Sequence, residues 1–146
     1  MEVIWADLSD RAPKDAYFPQ VVIIGTTGPP RRVLIVDDNL GLAENIAEIL
    51  QLDGHATQIA ASAEEAFPKA LADEPDVVVT DFRLPGVSGA VFLKQLLAAR
   101  TKVRAMMISA YTDDGTINEA TAAGARFMPK PLDFVRLSRW VGEASS

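Results

Sequence analysis

Apolar residues fall into short blocks separated by longer amphipathic stretches. Val33-Leu34-Ile35-Val36, Val77-Val78-Val79 and residues 103–108 are apolar almost throughout. β-branched runs this short, without polar alternation, predict strands buried on both faces, as in a parallel sheet. After the first run, Leu42, Ile46, Ile49 and Leu50 recur at i, i+4, i+7 and i+8, and Gly54 follows as a stop; this spacing predicts an amphipathic helix. Residues 55–60 predict a weaker second strand. Ser62 and Glu65 have the spacing of a capping box and open a second helix. Pro68 lies inside that helix, where its missing amide deprives the Glu64 carbonyl of a partner, so a kink or early break is expected there. Ser88 caps a third helix with Phe92, Leu93, Leu96 and Leu97 on one stripe, and residues 116–123 form a fourth that stops at Gly124. Residues 126–128 predict a short fifth strand. Asp133 caps a last helix, in which Phe134, Leu137 and Val141 recur at i, i+3 and i+7.

Five βα units follow from this pattern. They imply an α/β fold with a doubly wound parallel sheet, helices on both faces and right-handed crossovers. The units begin only after Gly25-Thr26-Thr27-Gly28-Pro29-Pro30, a string that continues neither a helix nor a central strand. Residues 1–30 therefore read as an N-terminal extension and linker, and residues 31–146 as the folded domain. Within the extension, Val21-Val22-Ile23-Ile24 is a candidate strand without a convincing period.

The 146 residues carry 14 Lys+Arg against 20 Asp+Glu, a formal net charge of −6. That sign disfavours direct binding to nucleic acid phosphates. The absence of Cys excludes disulfides, thiolate nucleophiles and Cys-ligated metals, and one His cannot build a His-rich metal site. No apolar run approaches the ~20 residues that span a bilayer, and the first residues do not read as a secretory signal. A cytoplasmic location is expected.

The candidate chemistry lies where the strands end. Asp37 and Asp38 close the first strand, Asp81 the third, Ser109 the fourth and Lys130 the fifth. In a doubly wound sheet these carboxyl ends share one edge and form the ligand crevice. Each pair of carboxylates ~4 Å apart costs on the order of 4 kcal/mol at an effective dielectric near 20, so a positive group must sit among them. A hard divalent cation with oxygen ligands fits, and Mg²⁺ is favoured because it takes a few carboxylates while keeping waters or a phosphate oxygen.

The strand Val33-Leu34-Ile35-Val36-Asp37-Asp38-Asn39, the loop Asp81-Phe82-Arg83-Leu84-Pro85-Gly86-Val87-Ser88-Gly89, Ser109-Ala110 and Lys130-Pro131 together resemble the receiver domain of two-component response regulators. The likeness runs from about Arg31 to Val141. It implies a flavodoxin-like (βα)5 fold with strand order 2-1-3-4-5, and a phosphoacceptor in a phosphorelay. By this resemblance Asp81 accepts a phosphoryl group from a histidine kinase or histidine phosphotransfer protein. Asp38 and Asp81 would ligate Mg²⁺, Asp37 would position a metal-bound water, and the Arg83 carbonyl would be a further ligand. Lys130 would pair with Asp81 and then with the phosphoryl group, and Ser109 would swing toward it. Phe127, three residues before Lys130, matches the switch aromatic that follows the hydroxyl. The face formed by helix 4, strand 5 and helix 5 would carry the downstream protein contact. Arg83 and Tyr111, bulky and two residues beyond the acceptor and the hydroxyl, would flank the path of a hydrolytic water.

Such a domain is no turnover enzyme beyond its own phosphotransfer and self-dephosphorylation. One alternative is a metal-dependent phosphohydrolase with an aspartyl nucleophile, but Asn39 stands where that class places its second acid. Another is a receiver-like scaffold that takes no phosphate, which the full set Asp37, Asp38, Asp81, Ser109 and Lys130 disfavours. The chain stops shortly after the last helix, which suits either a stand-alone receiver or the receiver of a longer kinase. His55 reads as a surface residue, Trp5 and Trp140 as packing anchors, and Met106 and Met107 as core.

Overall fold

The computed structural model describes residues 29–100 and 102–143. Trp5 and the candidate strand at residues 21–24 lie outside them. The elements alternate strictly: β1 (Arg32–Val36), α1 (Leu40–Leu52), β2 (Ala56–Ala60), α2 (Ala63–Asp73), β3 (Val77–Asp81), α3 (Gly89–Ala99), β4 (Arg104–Ser109), α4 (Asp114–Ala122), β5 (Arg126–Pro129) and α5 (Phe134–Gly142). The five strands are parallel in the order β2-β1-β3-β4-β5, as the sequence pattern and the resemblance imply.

Burial explains why the central strands lack polar alternation. Every residue of β3 is buried, as are the last four of β1 and the last five of β4, whereas the edge strand β2 alternates and β5 is exposed at both ends. Alternate residues feed two cores. On one face Leu34, Val36, Val78 and Met107 meet Phe92, Leu93 and Leu96 of α3 and the alanines of α2. On the other, Val33, Ile35, Val79, Met106 and Ile108 meet Ile46 and Leu50 of α1 and Leu137, Trp140 and Val141 of α5. Met106, Met107 and Trp140 are core, as expected.

The helix starts follow their caps. Ser62, Ser88 and Asp133 each accept a hydrogen bond from the backbone N–H three residues on, at 3.1, 3.2 and 3.1 Å, satisfying donors that a helix N-terminus leaves open. α4 begins two residues earlier than predicted because Asp113 caps it, bonding both the N–H and the hydroxyl of Thr116. Gly54 and Gly124 follow α1 and α4 with φ of 94° and 92°, the left-handed region where glycine carries no Cβ penalty.

Two expectations are corrected. α2 runs unbroken through Pro68. Pro68 and Glu64 both lie on the exposed face, where water can satisfy the freed carbonyl. His55 is buried at 5% exposure instead of lying on the surface, and it precedes β2. Its Nδ1 accepts the Arg31 backbone N–H at 2.9 Å. Burial lowers its pKa, and the Arg31 cation adds to that against the opposing pull of Asp53, so the neutral ring serves as an internal acceptor.

Candidate functional site

Hydrogen bonds that prolong the sheet set the site. Beyond β1 the Asp37 N–H bonds the Ala60 carbonyl at 3.0 Å; beyond β3 the Phe82 N–H bonds that of Ile108 at 2.9 Å; beyond β5 the Lys130 N–H bonds that of Ser109 at 2.8 Å. These bonds carry the ladder past the last strand residues and fix Asp37, Asp81 and Lys130 on one edge. A cis peptide joins Lys130 to Pro131.

Asp37 is fully buried, Asp81 nearly so, and Asp38 exposed. One carboxylate oxygen from each lies within 4.8 Å of the others. Lys130 Nζ reaches Asp37 at 3.2 Å and Asp81 at 3.3 Å. The other Asp37 oxygen accepts the Asn39 N–H at 2.9 Å. One ammonium thus pairs with two of three clustered carboxylates. Burial, and next the Asp37 charge, push the Asp81 pKa above its usual value, with Lys130 and the Arg83 backbone N–H pulling the other way. For Lys130, burial works against the charge, but Asp37 and Asp81 outweigh it and raise the pKa. A carboxylate crowded by another acid and held by one lysine lacks a positive counterpart, which is the chemistry of a divalent-cation site.

The close approach of α3 completes the acceptor's setting. Gly89, its first residue, donates to the Phe82 carbonyl at 2.8 Å, and a Cβ there would stand 2.2 Å from the Asp81 carbonyl oxygen. Only glycine lets this helix start so near the acceptor strand. The Thr80 hydroxyl donates to the same carbonyl at 3.0 Å.

Of the predicted residues, Asp37, Asp38, Asp81 and Lys130 converge. Ser109 is buried at the neighbouring strand end, its Oγ accepting the Tyr111 N–H at 2.9 Å. Phe127 is partly buried against the α2–α3 core and pairs in register with Met107, below the acid cluster. The Arg83 guanidinium lies over the Tyr111 ring at 4.2 Å. Sequence reasoning misses both that stack and the Gly89 approach, because each depends on two loops meeting, for which no spacing gives a signal.

An acid triad with a lysine at the carboxyl edge of a 2-1-3-4-5 sheet makes a candidate divalent-cation site on a flavodoxin-like fold. The response regulator receiver domain model matches residues 33–141, and the chain belongs to that family. It is 37% identical over 108 residues to a response regulator receiver protein of Anaeromyxobacter sp. strain Fw109-5, covering 73% of this chain but 45% of that protein. It therefore spans less than half of that relative. It is 30% identical over 103 residues to sporulation initiation phosphotransferase F of Bacillus subtilis, covering 70% and 83%. Among solved structures, a CheY-like receiver domain protein from Methanospirillum hungatei superposes with a TM-score of 0.74 at 25% identity, covering 77% of this chain and 91% of that one. A chain of the CheX–CheY–BeF3–Mg complex from Borrelia burgdorferi does so with 0.72 at 28%, covering 81% of this chain and 93% of that one. The chain is a receiver domain of two-component signalling, and no comparison favours the phosphohydrolase alternative. Among the described residues no helix is long and apolar enough to cross a membrane.

Proposed function

We propose that Asp81 is the phosphoacceptor, taking a phosphoryl group from a histidine kinase or histidine phosphotransfer protein with Mg²⁺ held by Asp38 and Asp81. The observation that carries this reading is the cluster itself: three carboxylates with oxygens within 4.8 Å of one another and only Lys130 between Asp37 and Asp81. Their oxygens are the hard donors that Mg²⁺ takes, and their uncompensated charge fits the ion. When bound, Mg²⁺ supplies neutralisation of the phosphoryl oxygens.

The chain's own groups do the rest. The Asp81 carboxylate attacks phosphorus, forming an acyl phosphate as the bond to the donor's histidine nitrogen breaks. Lys130, already beside Asp81, exchanges part of its pairing for a phosphoryl oxygen. Such transfer needs positioning and charge neutralisation more than acid–base chemistry. Asp37 holds Lys130 and would position water on the ion, and the Arg83 carbonyl would be a further ligand. Ser109 gives up the Tyr111 N–H to donate to the phosphoryl group, Phe127 follows, and the face of α4, β5 and α5 changes its protein contacts. Residues 1–30 act as extension and linker to this cytoplasmic module, which turns over no other substrate.

Incubation of the chain with acetyl phosphate and Mg²⁺, followed by intact mass measurement, tests the reading. A mass gain of one phosphoryl group is expected. Release of free phosphate without any adduct would overturn it in favour of hydrolysis. Within the site, Asp38→Ala is expected to weaken Mg²⁺ binding far more than Ser109→Ala, as titration calorimetry would show, because only the former removes a ligand oxygen.

A further inference from the structure

Beside the free edge of β5 runs a groove of about 170 Å³, closed on its other side by α5. Beneath it lie Met106, Met128 and Trp140, all buried. Its rim carries the exposed Arg126, Arg136 and Arg139. Among the described residues, ion pairs involve Lys69, Arg100, Arg104 and Lys130 but none of these three guanidiniums. Glu143, the one acid of the groove, already faces Arg104 at 3.9 Å. Arg104 feels the crowding: after burial, and against Glu143, the charges of Arg31 and Arg126 press its pKa down. In a chain of net charge −6, a cluster of cations without counter-charges is the reverse of the average surface.

We propose that this β5–α5 groove docks an acidic segment of a partner protein, with its carboxylates on the arginine rim. The inference rests on the receiver reading for the partner's place downstream, and it deepens that reading by naming the partner's chemistry. The planar guanidinium fork matches a carboxylate in two parallel hydrogen bonds, which a lysine cannot do. At roughly 30 Å³ of liquid volume per water, the groove has room for a single side chain and not for a cofactor. Among the described strands β5 pairs only with β4 and so is an edge of the sheet. Nucleic acid is a poorer fit. Its phosphates need a basic track, whereas these arginines ring one groove on an acidic domain.

The test uses the full chain and a fluorescein-labelled peptide of alternating Glu and Leu, with a Lys/Leu peptide as control, followed by anisotropy. The Glu/Leu peptide is expected to bind, to shift the Trp140 indole N–H resonance, and to lose affinity about tenfold or more in the Arg126→Glu/Arg136→Glu/Arg139→Glu variant. Replacing the same three by Gln, which removes charge without reversing it, is expected to give a smaller loss and serves if the reversal variant does not fold. Equal binding by wild type and both variants, equal binding of the Lys/Leu peptide, or tighter binding of a DNA duplex or phosphatidylserine vesicles would overturn the proposal. Sedimentation showing a dimer that the variants dissolve would also overturn it, by placing a second copy in the groove. Mass gain from acetyl phosphate is read in parallel. Its absence in wild type counts against the phosphoacceptor reading, whereas an adduct without peptide binding counts against the groove alone.

Discussion

At the amino ends of the strands the sheet carries arginine, and at the carboxyl ends it carries aspartate. β1 opens at Arg32 after Arg31, β4 at Arg104 and β5 at Arg126. Arg31 donates to the Glu143 carbonyl at 2.7 Å, and Arg104 donates to those of Trp140 and Glu143 at 3.0 and 3.1 Å while lying over the Trp140 ring at 4.3 Å. These cations bond carbonyls that the end of α5 leaves open and sit at the negative pole of that helix. There the charge of Arg31 and Arg104 is structural. At the opposite edge Asp37 and Asp81 share one lysine with Asp38 beside them, and a pair of carboxylates ~4 Å apart repels by about 4 kcal/mol at an effective dielectric near 20. Charge matched by neighbouring groups holds a fold together, whereas charge left in excess at a strand edge marks where a ligand belongs.

The largest effect is expected from Gly89→Ala, because the added Cβ meets the backbone of Asp81, which cannot yield as a flexible side chain would. A loss of about 3 kcal/mol in urea denaturation, with slowed phosphoryl acceptance in the protein that remains folded, is the expected outcome. Wild-type stability would show that α3 does not constrain the acceptor. At the other end, Arg104→Met is expected to cost about 2 kcal/mol through the lost carbonyl bonds and ring contact while leaving acceptance unchanged. A changed acceptance rate would break the separation of the two ends.

Asp81→Asn is expected to stabilise the folded chain by about 1 kcal/mol at neutral pH, since it removes one of three crowded charges. The sign follows from the raised pKa of Asp81. The folded state holds that proton to higher pH than the unfolded chain, so stability falls as pH rises from the ordinary carboxylate range to the raised value. The advantage of Asn is therefore fullest at neutral pH and shrinks as pH drops below that range. Urea midpoints of both proteins across a pH series check it, and an advantage that grows in acid would contradict it. Lys130, whose pKa is also raised, adds stability that fades only above the usual lysine range and leaves this window undisturbed. The smallest stability change, about 0.5 kcal/mol, is expected from cutting Arg83 and Tyr111 to Ala, which removes one exposed stack. The phosphoryl half-life in Mg²⁺ buffer should nonetheless shorten, because the stack flanks the path of an incoming water. A half-life equal to or longer than that of the parent contradicts the shielding.

The sheet is legible in the sequence because β1, β3 and β4 bury both faces and so lack alternation, and three helix starts are legible because Ser62, Ser88 and Asp133 are caps that act within three residues. The convergence of Asp37, Asp38, Asp81 and Lys130 is legible because the strand ends of this topology share one edge. Pro68 misleads because its cost depends on which face of α2 it occupies. His55 misleads because its partner is a backbone amide 24 residues away. The Arg83–Tyr111 stack and the Gly89 approach join separate loops, and no local period encodes such meetings.

The central claim is that the acids at the carboxyl edge form a phosphoacceptor with Asp81 as its nucleophile. Its most direct test is the intact mass of wild type and Asp81→Asn after parallel incubation with acetyl phosphate and Mg²⁺. The account predicts a gain of one phosphoryl group in wild type and none in the folded variant. Labelling of Asp81→Asn at the wild-type rate would contradict it.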